Sequence, residues 1–227
     1  MERPSPHWLL SDPRLAAIPI RDSEEPLIDV QTSAPLRVAG PTYLRYGLVD
    51  RLVTAQSLLP RHVRLLIVDG YRPPNPCRHA TCAVEEVKLS HPDVSTEDLD
   101  RLVGVCATPP EVAPHLTGGA VDLTLSDEDR AVRNTVLLPT CCSGPLPLPP
   151  DKTWRLLTSA LGAVGLANYP ARWWHWSYGD RFWAHATQMP HARYGPVHRP
   201  DGRQPVRTVD QTRSHPRPNR RPPGPIP

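Results

Sequence analysis

Two histidines and an aspartate, His115, Asp122 and His175, are the residues of this sequence best suited to do chemistry together. The first two bracket the run His115-Leu116-Thr117-Gly118-Gly119-Ala120-Val121-Asp122, and the third closes Arg172-Trp173-Trp174-His175. Two imidazoles and a carboxylate suit one Zn²⁺ per chain, with a fourth position left open for water. Such a site polarises a carbonyl and brings a water toward neutral pKa, which is hydrolytic chemistry. Either half taken alone reads better as an ordinary surface or core histidine; the combination points to a metal. A third run, Asp69-Gly70-Tyr71-Arg72-Pro73, holds an arginine in a Gly/Pro turn. Its pre-organised fork could stabilise an oxyanion, anchor a substrate carboxylate, or simply pair with a neighbouring acid.

The elements that must position these residues show in the periodicity. Leu44, Leu48, Leu52, Ala55 and Leu59 recur at helical spacing from Thr42, and Pro60 stops that helix. Val63 to Val68 is a short β-type run closed by Asp69-Gly70. Short helices are expected over 79–89 and 96–103. Ala120 to Leu125 alternates, with Val121, Leu123 and Leu125 on one face and Asp122 and Thr124 on the other, as in a half-buried strand. Gly118 and Gly119 permit a sharp bend that folds His115 back over Asp122. Residues 139–150 are a proline-rich connection. Asp151 then caps a helix with Trp154, Leu157, Leu161 and Val164 on one stripe, ending near Gly165. Trp173 to Trp176 reads as a final strand whose tryptophans need a large apolar partner. The whole is α+β: a small antiparallel sheet carrying the zinc site, with helices packed behind it.

At 227 residues the chain supports one core with extensions. The expected division is an irregular N-terminal wrap over 1–41, a zinc-site domain over 42–190, and a Pro/Arg-rich disordered tail over 191–227. The net charge of +3 belongs to that tail, since residues 199–227 carry seven arginines against Asp201 and Asp210. There the arginines alternate with eight prolines and no aromatics, a solvated composition, so no nucleic-acid partner is expected. No apolar run approaches the roughly 18 residues of a membrane span, and the N-terminus lacks the apolar core of a signal peptide. A cytoplasmic location without a membrane partner is therefore expected. The five cysteines, Cys77, Cys82, Cys106, Cys141 and Cys142, have no metal-type spacing and read as structurally neutral.

The three motifs in this order resemble those of the D-alanyl-D-alanine dipeptidases associated with vancomycin resistance. These are zinc metallopeptidases of a larger group that includes D-alanyl-D-alanine carboxypeptidases and the hedgehog signalling domain. The similarity covers roughly residues 42–184. It is strongest in Leu66-Ile67-Val68-Asp69-Gly70-Tyr71-Arg72-Pro73, in His115 to Leu125, and in Asn168-Tyr169-Pro170 through Trp173-Trp174-His175-Trp176-Ser177-Tyr178-Gly179-Asp180-Arg181. It implies that His115, Asp122 and His175 bind zinc, that Arg72 stabilises the transition state, and that a small D,D-dipeptide of the cell wall is the substrate.

The chain departs from the family pattern at a critical point. Where the family has Glu-Trp-Trp-His, with the glutamate as general base, this chain has Arg172-Trp173-Trp174-His175. Arginine stays protonated and has no acceptor; a positioned base is worth about 10²–10⁴ in rate. Ala113 stands where a serine is usual, and 126–150 replaces a stretch with its own family pattern. Three functions follow as expectations: a zinc D,D-dipeptidase, a zinc-binding pseudoenzyme that recognises a ligand or partner, or a site repurposed for another small amino-acid-derived substrate. The oligomeric state is not legible in the sequence.

Overall fold

The computed structural model describes residues 10, 12–74, 88, 92–93, 95–96, 108–127, 151–170 and 172–197. The cysteines, the proline-rich connection, the 199–227 tail and most of the helices expected over 79–89 and 96–103 lie outside these residues. Elements are numbered below along the described residues.

The N-terminal stretch contributes short pieces: α1 (Pro13–Ala16), β1 (Leu27–Asp29), α2 (Val30–Ser33) and β2 (Arg37–Val38). Asp12 and Asp29 accept hydrogen bonds from the amides of Arg14 and Gln31 and so start the two helical turns. Next come β3 (Tyr43–Arg45), α3 (Tyr46–Ser57) and β4 (Val63–Asp69). The helix expected from Thr42 thus begins only at Tyr46, because residues 43–45 pair antiparallel with β1 instead. Leu44, on the helical stripe in the sequence, is a strand residue with no exposed surface.

Two 3₁₀ turns, Pro110–Val112 and Pro114–Thr117, lead into β5 (Ala120–Asp127). After them come α4 (Asp151–Ala163), β6 (Ala167–Asn168), β7 (His175–Ser177) and α5 (Arg181–Ala186). The final strand is shorter than its aromatic run suggested, since Trp173 and Trp174 lie in the turn that precedes it.

The main sheet has five strands in the order β2-β4-β5-β7-β6. Its four strands from β4 to β6 are antiparallel, and β2 joins the β4 edge in parallel. Helices α3 and α4 cover one face. Leu48, Val49, Leu52 and Ala55 from the first, and Leu157, Ala160 and Leu161 from the second, share a core with Leu65, Ile67, Val121, Leu123 and Trp176. Each fully buried leucine, isoleucine or valine of this set contributes about 1.5–3 kcal/mol relative to exposure. Period-two alternation therefore sends Asp122, His175 and Ser177 to the opposite face. That face is not open: Asp122, His175 and Ser177 are all buried. The half-buried strand expected at 120–125 is covered on both sides around Asp122, because the His115 turn and the Arg72 side chain lie over it.

Candidate metal centre

Sheet register brings the first two acidic and basic groups into line. Asp122 on β5 is the direct partner of His175 on β7 and, across its other edge, of Asp69 on β4. The second pairing depends on a register shift between Ile67 and Asp69. That one-residue bulge re-aims the end of β4 and leads into the Gly70-Tyr71-Arg72 turn. Gly70 is required there because a Cβ would sit 2.8 Å from the Tyr43 carbonyl oxygen and 2.7 Å from a Thr42 methyl.

His115 arrives from outside the sheet. The 3₁₀ turn carrying it ends at Gly118, whose backbone is left-handed with φ +69°. The reversal expected from the glycine pair is thereby made, and His115 Nε2 lies 3.3 Å from Asp122 Oδ1. Thr117 ties the turn internally, its hydroxyl donating to the Pro114 carbonyl and accepting from the Gly119 amide. Buried Arg45 holds it from outside, donating to the Thr117 carbonyl at 2.8 Å and to the Gly195 carbonyl at 3.2 Å. The Val197 amide donates to the Leu116 carbonyl, and the Tyr71 hydroxyl donates to the Val197 carbonyl. Residues 195–197 thus strap together the two loops that carry His115 and Arg72.

The three donors converge. His175 Nδ1 lies 2.8 Å from Asp122 Oδ1, and one ligand atom from each of His115, Asp122 and His175 falls within 4.8 Å of the others. His115 Nδ1 is 2.7 Å from the Gly70 carbonyl oxygen, which can only accept, so Nδ1 carries the proton and Nε2 keeps a free lone pair. Nε2 is buried without a hydrogen-bond partner. An orphaned imidazole nitrogen, a buried carboxylate and a second imidazole fit a divalent cation, and fixing one ring through a backbone carbonyl is the usual support for such a ligand.

Electrostatics favour the deprotonated forms of Asp122 and His175. Burial would push the Asp122 carboxyl up, yet His115 and His175 beside it hold it well below the usual carboxylate range. His175 is lowered to about 4, chiefly by burial, against the attraction of Asp122. Neutral imidazole and ionised carboxylate are the states that bind metal.

Arg72 sits at the rim. Its Nε donates to Asp69 Oδ2 at 2.6 Å and its Nη2 to Asp122 Oδ2 at 2.9 Å. Its side chain keeps 28% of its surface exposed, so the fork can still meet another acceptor. Arg172 is buried next to the cluster. Its backbone accepts from the His175 amide, its guanidinium lies 5.9 Å from the centre of the Tyr169 ring, and its charge opposes protonation of His175.

Several supporting groups were not singled out by residue type alone. Asn168 donates through Nδ2 to the carbonyls of Arg172, Trp173 and His175, at 3.3, 3.0 and 2.9 Å. Asn168 lies in a motif that carries the family resemblance, but a lone amide gives no hint that three carbonyls will surround it. Asp69 also lies in such a motif, and only the bulge reveals that it orients Arg72.

Comparison with known proteins adds one relative and no family model: none matches the chain. A protein named D-alanyl-D-alanine dipeptidase, from Synechocystis sp., is 25% identical over 243 aligned residues, spanning 80% of this chain and 95% of the relative. The resemblance carried by the motifs therefore extends over most of both chains, at low identity. Among the described residues no helix is long and apolar enough to cross a membrane.

Proposed function

We propose that the protein is a zinc-dependent dipeptidase-type hydrolase acting on a small D,D-dipeptide such as D-alanyl-D-alanine. The observation that carries the reading is the convergence of His115 Nε2, Asp122 Oδ1 and His175 Nδ1 beside the Arg72 fork. The similarity to a named D-alanyl-D-alanine dipeptidase supports the substrate class. His115, Asp122 and His175 would hold one zinc ion, which when bound supplies Lewis-acid polarisation of the scissile carbonyl. Arg72, steered by Asp69, would place its remaining donors against the oxygen on which negative charge grows. The buried site excludes bulk water and strengthens that interaction.

The step left without its usual agent is proton removal from the attacking water. Arg172 cannot accept a proton. Asp69 and Asp122, the carboxylates placed against the cluster, are both engaged by Arg72. A second reading follows from this substitution: a metal-holding module that binds its ligand without cleaving it, or that uses Arg172 to recognise an added carboxylate.

The test uses the purified full-length protein. We expect about one zinc per chain, lost in His115→Ala and His175→Ala, and D-alanine release from D-alanyl-D-alanine above that of the His115→Ala control. Zinc binding without release favours the binding module. Absence of zinc binding overturns both readings.

A further inference from the structure

Asp122 and His175 are fixed by paired strands, whereas His115 rides on a turn outside the sheet. The geometry of the donor set therefore depends on what holds that turn. Arg45, the last residue of β3, grips its C-terminal end twice. The Arg45 backbone amide donates to the Gly118 carbonyl at 2.9 Å, and its side-chain Nε donates to the Thr117 carbonyl at 2.8 Å. The turn is closed on itself, because the Gly118 amide donates to the His115 carbonyl and the Thr117 hydroxyl to that of Pro114. It moves as one piece, and its position follows that of Arg45.

Arg45 is itself held by segments far from it in sequence. Its Nη1 donates to the Glu25 carbonyl, and its Nη2 to the Gly195 carbonyl at 3.2 Å and to Asp22 Oδ2 at 3.1 Å. The same Asp22 oxygen accepts from the Gly195 amide at 2.9 Å. Tyr194 closes the other side of the turn. Its ring lies against Gly119 and Gly179, where a Cβ would come within 2.9 and 2.5 Å of it. Its hydroxyl donates to Glu25 Oε2 at 2.7 Å, and that oxygen also accepts from the Gly47 amide in α3. Only 7% of the Arg45 side chain is exposed, so water cannot stand in for these acceptors. A buried planar fork bonded in this way has one orientation, and it fixes the distances between the groups it joins.

Resting on the metal reading above, we infer that Arg45 is a positioning residue for His115. With Asp22, Glu25 and Tyr194 it forms a clamp that sets where the His115 imidazole meets Asp122 and His175, and so sets the affinity for metal. Asp22, Glu25, Tyr194 and Gly195 lie outside residues 42–184, the span over which the motifs carry the resemblance. The clamp makes the N-terminal wrap and the segment after α5 working parts of the metal site. Arg51 supplies a contrast within the same fold: its guanidinium ties α3 to the Val164 carbonyl and the Tyr178 hydroxyl instead.

The experiment titrates the full-length protein with Zn²⁺ against a chelating competitor, and with Co²⁺ read by its visible absorption. Wild type, Arg45→Lys and Arg51→Lys are compared at a temperature where thermal melting shows each to be fully folded. Under that condition a loss of stability alone leaves metal affinity unchanged, because the folded fraction is the same. Lysine keeps the charge at position 45 but lacks the fork that joins Thr117 to Gly195. We expect zinc affinity to fall about 10–100-fold in Arg45→Lys, as for other outer supports of a ligating histidine, with altered Co²⁺ bands. Arg51→Lys should keep the wild-type affinity and bands. Wild-type affinity in Arg45→Lys overturns the clamp, as does an equal loss in both variants, which would be a general loosening of the fold. If Arg45→Lys does not fold, Tyr194→Phe carries the comparison, since it keeps the ring on Gly119 and removes only the hydroxyl from Glu25. Weakened affinity there supports the clamp and wild-type affinity overturns it. If the wild type takes up neither metal, the metal reading fails and the clamp with it; if it binds metal and Arg45→Lys matches it, the clamp alone fails.

Discussion

Asp69 and Asp122 face each other across the β4–β5 register, and one guanidinium, that of Arg72, bonds to both. Two carboxylates side by side would repel; a single shared cation makes the arrangement stable and fixes the cation's direction at the same time. Asp122 then has one oxygen toward the histidines and the other toward Arg72. The candidate metal donors and the proposed anion-binding group are thus joined through a single carboxylate.

Asp69→Ala should release one side of the Arg72 fork without touching the three metal donors. We expect hydrolysis to fall by about 10-fold or more, the cost of misplacing a charge-stabilising group, while zinc stoichiometry stays at the wild-type value. Parallel measurements of bound zinc and of D-alanine release check this. A loss of zinc in the variant would contradict the assignment of Asp69 to Arg72 rather than to the metal.

Gly118→Ala should be disproportionately damaging for a single methyl. The position needs φ +69°, and the new Cβ would collide with the Leu27 side chain. Left-handed strain for a non-glycine residue costs about 1–3 kcal/mol before the collision is added. Chemical denaturation should show at least that loss, and zinc affinity should fall with it because His115 rides on the same turn.

Asn168→Ala would leave three carbonyls of the Arg172–His175 turn without their shared donor. Each carbonyl keeps a second donor (the His175 amide, the Trp176 indole and the Tyr169 amide), so the loss is that of ordinary hydrogen bonds, about 0.5–1.5 kcal/mol. We expect a lower denaturation midpoint and faster amide exchange at residues 172–175, with the β4–β5 pairing unchanged. Hydrogen exchange by mass spectrometry would locate the effect.

Arg172→Glu places a proton acceptor where the dipeptidases that the motifs resemble are expected to have one. If the missing base alone limits turnover, activity should rise by about 10²–10⁴-fold. A variant that binds zinc and stays inactive would assign the defect to the substrate pocket, including the altered 126–150 stretch.

Burial raises the Asp180 carboxyl to about 6, against the pull of the Trp183 amide. Between its ordinary value of 3.8 and about 6 the folded protein binds more protons at this site than the unfolded chain does. Its contribution to stability therefore falls as pH rises through that interval and stays lost at neutral pH. At ~1.4 kcal/mol per pKa unit the loss is on the order of 3 kcal/mol. His175, lowered to about 4, gives the opposite slope over part of the same range, so the comparison must be between variants. Asp180→Asn keeps an oxygen to cap α5 and cannot ionise. Metal-free melting curves from pH 3.5 to 7 should show the variant gaining on wild type as pH rises; a constant difference would refute the assignment.

The sequence alone determined the residues whose chemistry is local. Alternation through Val121, Asp122 and Leu123 set the carboxylate apart from the core, because neighbouring strand residues must point oppositely. Gly118-Gly119 marked the reversal that returns His115, because only glycine tolerates that backbone cheaply. The motif order carried the resemblance to D-alanyl-D-alanine dipeptidases, and it put Arg172 where a base is expected.

Tertiary structure decided what depends on distant register. The β4 bulge set Asp69 opposite Asp122, and nothing local in Ile67-Val68-Asp69 announces a one-residue slip. Pairing with β1 turned Tyr43–Arg45 from helix to strand. Arg45 joins the His115 turn to residues 195–197 through a hydrogen bond that spans 150 positions of sequence. Such contacts arise from burial, which forces each polar atom to find a partner among whatever the fold brings near. Spacing along the chain cannot reveal which partner that will be.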